Sequence, residues 1–430
     1  MSVPTASAKS STLAASADST PMAVEPMNLK IPITGVVVLL LQGLMAMSAH
    51  GSTTFDLSAS SDLFQIGNLE LNARLVILVA AGIVAAATTV ALSRARRRGR
   101  IPTWVTVLLG LGFVITFLAW AGAGRHGVIP LVTILSSALG LSVPLVYGAL
   151  AGIIGERSGT INIAIEGQLL GGAFLGAVVA SACTNPWAGL LAAPVAGVLV
   201  ALLLALFGLR YRVNQIVVGV VLNVLVSGLT GFLFSTFLSS SPSLNRALRL
   251  PALAVPVLSR IPLVGPVLFR QTILVYLMYV AVAVLSYMLF RSRWGLRLRA
   301  CGEHPKAADT VGIKVLRTRV ANLALAGALA GLGGAFFTVG SGLSFENDMT
   351  AGNGYIALAA MILGAWRPLG SLGAALLFGF ATSVAQTLPV IGSSVSPDII
   401  SMIPYIVTIL AVAGFVGKVR APAAEGVPYP

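Results

Sequence analysis

Side chains able to hold a proton or grip a ligand are scarce in this chain. Its 430 residues include 13 Asp and Glu against 27 Lys and Arg. Among the acids, only Glu166 sits well inside an apolar stretch. A charge there costs roughly 2.5–3.5 kcal/mol on insertion scales, so it must face a cavity or a partner. Three readings stand side by side: a group lining a substrate path, a structural ion pair with Arg157 as the candidate partner, or a Glu near a helix start at the inner surface. Asn162 precedes Glu166 by four residues and shares its face. Asn223, Asn353, Gln215, Asn322, Thr382 and Gln386 are further polar groups in or beside apolar stretches. Each alone fits an interhelical hydrogen bond worth about 1 kcal/mol. Asn162, Glu166, Asn223 and Asn353 form the candidate pathway set.

Other chemistries lack their residues. His50, His126 and His304 lie far apart, so no metal-ligand spacing appears, and Cys183 and Cys301 fall on opposite sides of the expected topology, which disfavours a disulfide. None of Lys9, Lys30, Lys306, Lys314 and Lys418 stands in a GxxxxGK[ST] loop, which excludes a P-loop. No Ser–His–Asp set or carboxylate pair shares a membrane segment, which disfavours hydrolysis.

The elements that must position these residues are membrane helices. Apolar residues make up 57% of the chain and charged ones 9%, against about 25% charged in a soluble domain. Apolar segments run at about 31–48, 73–92, 101–121, 128–154, 161–183, 187–209, 216–238, 272–290, 320–341, 353–366, 369–388 and 401–417. Many reach the ~20 residues that cross a bilayer. The expected fold is all-α: a polytopic transmembrane bundle of about 9–12 segments. Segment 353–366 is too short for an upright helix and reads as broken or re-entrant. Residues 1–30 read as a disordered cytoplasmic tail, with a signal peptide at 31–48 as the lesser alternative. Loop 239–271 carries Pro242, Pro251, Pro256, Pro262 and Pro266, so it is not one helix; its hydrophobicity suggests packing on the membrane surface or a partner.

Orientation follows from Arg291–Arg319, which holds eight Lys and Arg. Short basic loops stay cytoplasmic. With twelve crossings and both termini inside, six of the 27 basic residues fall outside: Arg74, Arg125, Arg246, Arg249, Arg260 and Arg270. The net charge of +14 therefore reports membrane orientation, and no nucleic-acid partner is expected. Within this loop Pro305 suits a first helical position and Gly312 the left-handed residue past the end. Ala307, Ala308 and Val311 fall on one face of the short helix between. It reads either as a knob for another protein's groove or as a solvated connector.

The chain also repeats itself. GALAG occurs at 148–152 and at 327–331, and NIAIEGQLLGG at 162–172 lines up with YIALAAMILGA at 355–365. The second copy carries an insertion of about 14 residues near 341–354. Duplicated halves flanking a pathway are a transporter's architecture. Gly159, Gly167, Gly352 and Gly354 sit where broken helices are expected.

At this point the residues resemble a known family. GERSGTINIAIEGQLLGGAFLGA (155–177) is similar to the signature of permease subunits from the branched-chain amino acid/simple-sugar superfamily of ABC importers. GEHPKAADTVGIKV (302–315) resembles its cytoplasmic coupling motif. SFENDMTAGNGYIALAAMILGAWRPLGSLGAALLFG (344–379), RIPLVGPVLF (260–269) and SMIPYIVTILAV (401–412) look like the nucleoside-type branch served by a basic membrane lipoprotein. The resemblance covers about 128–417, leaving 31–127 as extra N-terminal membrane segments and 418–430 as a cytoplasmic tail. It implies two pseudo-symmetric halves and a multi-pass protein of the bacterial cell membrane with both termini cytoplasmic. It further implies a second, different permease subunit, a cytoplasmic ATPase, an external substrate-binding lipoprotein, and no cofactor in this chain, since the ATPase binds ATP. Carried over by motif, Glu303, Pro305, Ala307, Ala308 and Gly312 dock the ATPase, and Asn162, Glu166 and Gly167 belong to the signature. The expected function is nucleoside import with no bond chemistry. The alternatives are a ribose- or galactose-type sugar permease, an ion-coupled secondary transporter, and a membrane scaffold or enzyme.

Overall fold

A computed structural model describes residues 29–58, 62–99, 101–124, 128–390, 398, 400, 402, 404–407, 409 and 420–429. The tail 1–28, Arg125, His126, Lys418 and most of segment 401–417 lie outside the described residues.

Where apolar runs are long, the chain is helical, because a backbone shielded from water must bond to itself. The helices are α1 (Lys30–Ser48), α2 (Ala73–Arg96), α3 (Thr103–Ala121), α4 (Leu131–Arg157), α5 (Ile165–Cys183), α6 (Pro186–Ala205), α7 (Gln215–Leu233), α8 (Val264–Leu268), α9 (Ile273–Arg291), α10 (Arg293–Glu303), α11 (Pro305–Thr310), α12 (Val315–Gly334), α13 (Asn353–Leu363) and α14 (Pro368–Val390). Their starts follow from local chemistry. Asn72, Asn185 and Asn214 each accept a bond from a free first-turn amide of α2, α6 and α7. Helices α6, α7 and α12 each run on into a π-helical turn. Ten helices among the described residues, counting those extensions, are long and apolar enough to span a membrane.

Helix α4 is the pivot: 89% of its apolar window is buried, against 33% for α7, whose Val220, Val221, Val224 and Leu225 are exposed. The repeat becomes an exchange of partners. Helix α4 packs on α13 and α14, and its counterpart α12 packs on α5 and α6. Backbone meets backbone at both crossings. Gly379 of α14 lies against the Ala138 carbonyl of α4, and Gly197 of α6 against the Gly327 carbonyl of α12. A glycine thus sets helix spacing at each crossing.

Helices α1–α3 form a layer of their own. Gln42 of α1 bonds the Gly112 carbonyl and the Thr116 hydroxyl of α3. Leu118 and Ile77 of this layer join one core with Ile134, Val384 and Leu388 of α4 and α14. A small sheet ties the layer down, with β1 (Ser52–Asp56) antiparallel to β2 (Leu69–Asn72) and parallel to β3 (Val128–Pro130). A second pair, β4 (Ala252–Ala254) and β5 (Arg270–Thr272), lies in the proline-rich stretch. Part of that stretch bonds to the rest of the chain, while Val257, Leu258, Ile261 and Val264 stay exposed. Leu250 N donates to Val339 O, Arg246 N to Ser181 Oγ, and Asn245 exchanges two bonds with Phe345.

Segment 353–366 is short as expected. Helix α13 has 11 residues, about 16 Å of rise, or half of a bilayer core. It runs beside the last turns of α4: Gly148 meets Ala357, Gly152 meets Met361, and Trp366 Nε1 donates to Glu156 Oε2. The other half of this crossing is the irregular stretch 341–352, which is where the repeat places its insertion.

Candidate functional site

Glu166 sits in the first turn of α5 and points at the start of α13. Its Oε1 accepts from Thr350 Oγ1 (2.6 Å) and Gly352 N (2.9 Å), and its Oε2 accepts from Gly354 N (2.5 Å). A carboxylate is favoured at a helix N-terminus, where amides lack partners and the dipole is positive. Gly354 has no room for a Cβ, which would lie 2.6 Å from Glu166 Cα. Glu166 therefore fastens the broken crossing to the signature stretch. Arg157 is not its ion partner. Its Nε donates to the Trp366 carbonyl (2.8 Å), and its guanidinium stacks over Phe290, as does that of Arg299.

Asn223 of α7 completes the junction. Its Oδ1 accepts from Gly167 N (2.8 Å), and its Nδ2 donates to Ile163 O (2.9 Å) and to Tyr355 Oη (3.1 Å). Asn353 lies next to this cluster, but its amide donates to Thr350 O within its own turn. Asn162 is not on the face of Glu166, because α5 begins only at Ile165. It is fully buried and locked to Gln168 by two reciprocal side-chain bonds. The fold thus gathers Glu166, Asn223 and Asn353 and leaves Asn162 apart.

Sequence reasoning missed Tyr355. It is 47% exposed although its hydroxyl is anchored. The available signal was the repeat, which sets Tyr355 opposite Asn162. Leading down to it, Glu346, Asn347, Asp348 and Ala351 are all exposed. Asn347 lies against Gly231 of α7 and Tyr355 bonds Asn223 of the same helix. The segment therefore follows α7 for eight residues, about 12 Å, along the middle of an apolar span. Exposed irregular backbone at that depth does not occur against lipid; it lines a water-filled space or meets another protein.

At the opposite, arginine-rich end, α10 and α11 form a hairpin where one helix was expected. Ser292 Oγ caps α10 through Gly295 N (3.1 Å). Pro305 opens α11 and Gly312 closes it with φ +85°. Ala308 does not share a face with Ala307 and Val311. It is buried among Cys301 and Val315, with Tyr429 against them. A six-residue helix seated on a neighbour must bury one side, and the outward side carries Ala307 and Val311, the latter 74% exposed. Glu303 accepts from Ala423 N.

Residues 420–429 lie along this hairpin. Burial raises the Glu425 carboxyl above the ordinary carboxylate range, and Glu425 faces Glu156.

No solved structure matches the chain. It is similar to the guanosine ABC transporter permease protein NupQ of Bacillus subtilis, 38% identical over 69% of this chain and 96% of that protein. It matches the nucleoside ABC transporter permease protein NupC of Lactococcus lactis at 38% identity, again over 69% and 96%. The glucose ABC transporter permease protein TsgB13 of Haloferax volcanii is 30% identical over 62% of this chain and 77% of its own length. The family described as branched-chain amino acid transport system / permease component matches residues 134–412. With its multi-pass helical bundle and the match spanning both halves of its repeat, the chain belongs to this family of transporter permeases.

Proposed function

We propose that this chain is one permease subunit of an ATP-driven importer of nucleosides. A separate ATPase grips its basic, cytoplasmic end, and a second permease faces the exposed segment 346–355. That segment carries the reading. An acidic, irregular stretch exposed beside the middle of α7 belongs to a pathway wall. The similarity to NupQ and NupC supports the substrate class. The ring of Tyr355, held by Asn223, offers its face to a nucleobase. Glu346, Asn347 and Asp348 offer acceptors for ribose hydroxyls. The chain performs no bond chemistry; it binds, and it exchanges which side is open.

Tyr355→Ala should raise the KM for nucleoside uptake about tenfold, the loss of one stacking contact of 1–3 kcal/mol. Tyr355→Phe should stay within about fivefold, because a hydroxyl bond of this kind is worth about 1 kcal/mol or less. Saturation kinetics with radiolabelled nucleoside in a deletion strain will read this. An unchanged KM in Tyr355→Ala would remove the ring from the path. Sugar uptake lost in the same strain, with nucleoside uptake intact, would instead favour the second reading, which the similarity to TsgB13 supports.

Exposure supports placing the ATPase on the outward side of α11. Val311→Glu puts a charge on the outward side of α11 and should cut co-purification of the ATPase at least tenfold with normal chain levels. Ala308→Glu buries that charge inside the hairpin and should lower the amount of folded chain itself. Equal ATPase recovery from wild type and Val311→Glu would refute this docking face.

A further inference from the structure

We infer that residues 420–429 form a strap that links the ATPase-docking hairpin to the turn leading into Glu166. Arg319 of α12 is fully buried, yet among the described residues no carboxylate holds it. Its Nη1 donates to Val427 O (2.9 Å) and its Nη2 to Cys301 O (3.2 Å). The guanidinium lies over Gly159, whose φ is +94° and where a Cβ would fall 2.5 Å from Nη2. One cation therefore joins three segments: the strap, α10 and the turn 158–164. A buried guanidinium needs its acceptors, and the strap supplies one of the two.

Backbone bonds repeat the pattern. Ala424 N donates to Gly302 O (2.8 Å) on α10, and Gly426 N to Gly159 O (3.2 Å) in the turn. Gly426 has φ +71°, and a Cβ there would meet Ile161 at 2.7 Å. Tyr429 packs on the hairpin side of Cys301, Ala308 and Val315. Gly302 sits so close to the Arg157 carbonyl and Gly159 N that no side chain fits. Peptide groups in direct contact fix distance and register, which long side chains do not. Turn 158–164 continues through Ile165 into Glu166, which holds the start of α13. A displacement of α11 therefore reaches the pathway wall through strap, Arg319 and turn. The strap leaves Ala307 and Val311 exposed, so it transmits without covering the docking face.

The inference rests on the importer reading, and the experiment separates the two. The complete transporter, with ATPase and receptor, is reconstituted from wild type, from a chain lacking 420–430, and from Gly426→Val. Nucleoside uptake, ATP hydrolysis and subunit recovery are measured together. The expected result is full recovery and continued hydrolysis, with nucleoside moved per ATP reduced about tenfold in both variants. An unchanged ratio in the deletion overturns the strap, and so does increased uptake, which would make the segment an inhibitory latch. Where the deletion does not accumulate, Gly426→Val decides, since it alters one tail position only. Failure of both to accumulate would make the segment a folding element and refute transmission. A wild-type complex that moves no nucleoside would refute the importer reading instead.

Discussion

Glu166→Ala is expected to abolish uptake, with a loss of about 100-fold or more, the scale on which small misplacements disable a site. The carboxylate accepts three bonds from the far side of the repeat, from Thr350, Gly352 and Gly354. Removing it leaves three donors without partners, and the two buried ones, on Thr350 and Gly354, cost about 1–3 kcal/mol each. The start of α13 then has no cap, and stretch 341–352 loses the anchor that holds it along α7. Glu166→Gln should fall between, because an amide presents one acceptor oxygen and turns a donor toward amides that are donors themselves. Uptake should be read beside proteolysis of the intact protein, since 341–352 ought to become cleavable in Glu166→Ala. Wild-type uptake in that variant would mean that the broken crossing needs no fastening, and the site as built here would be wrong.

The second large effect concerns the crossing of α6 and α12. In Gly197→Val the new Cβ would drive into the Gly327 carbonyl and the Gly331 amide, both backbone. Overpacking costs 1–3 kcal/mol where side chains can yield; here no flexible group can move, so the cost should exceed about 3 kcal/mol and the chain should not accumulate. Gly228 of α7 has open space where a Cβ would stand. Gly228→Ala should accumulate like wild type, and a slight gain in helix propensity is expected. The measurement is the yield of monodisperse protein in detergent. Comparable yields for Gly197→Val and wild type would show that the two helices are not held in backbone contact. The same test at Gly379 of α14, which lies against α4, examines the other half of the repeat.

Much of this was legible in the order of residues. Apolar runs marked the membrane helices, because shielding a backbone from water leaves helix as its outlet. The shortness of 353–366 marked a broken crossing, and the offset between the repeats marked the insertion that supplies its irregular half. Pro305 and Gly312 delimited α11, since each residue has one backbone preference strong enough to act without context. These signals are local: each depends on a residue and its near neighbours.

What the tertiary structure alone decided is which groups meet. Arg157 stood nine residues from Glu166 in sequence, yet the carboxylate bonds Gly352 and Gly354 across the repeat, while Arg157 turns to Trp366. Ala308 shared a helical face on paper, but the neighbour on which α11 rests turned it inward. The closing segment 420–429 has no pattern that announces a partner; its bonds run to Gly159, Gly302 and Arg319, more than 100 residues earlier. Periodicity reports which side of a helix is apolar, but not what lies against it. A polar group's partner is settled by whichever donor or acceptor folding brings within about 3 Å, and that is a property of the whole chain.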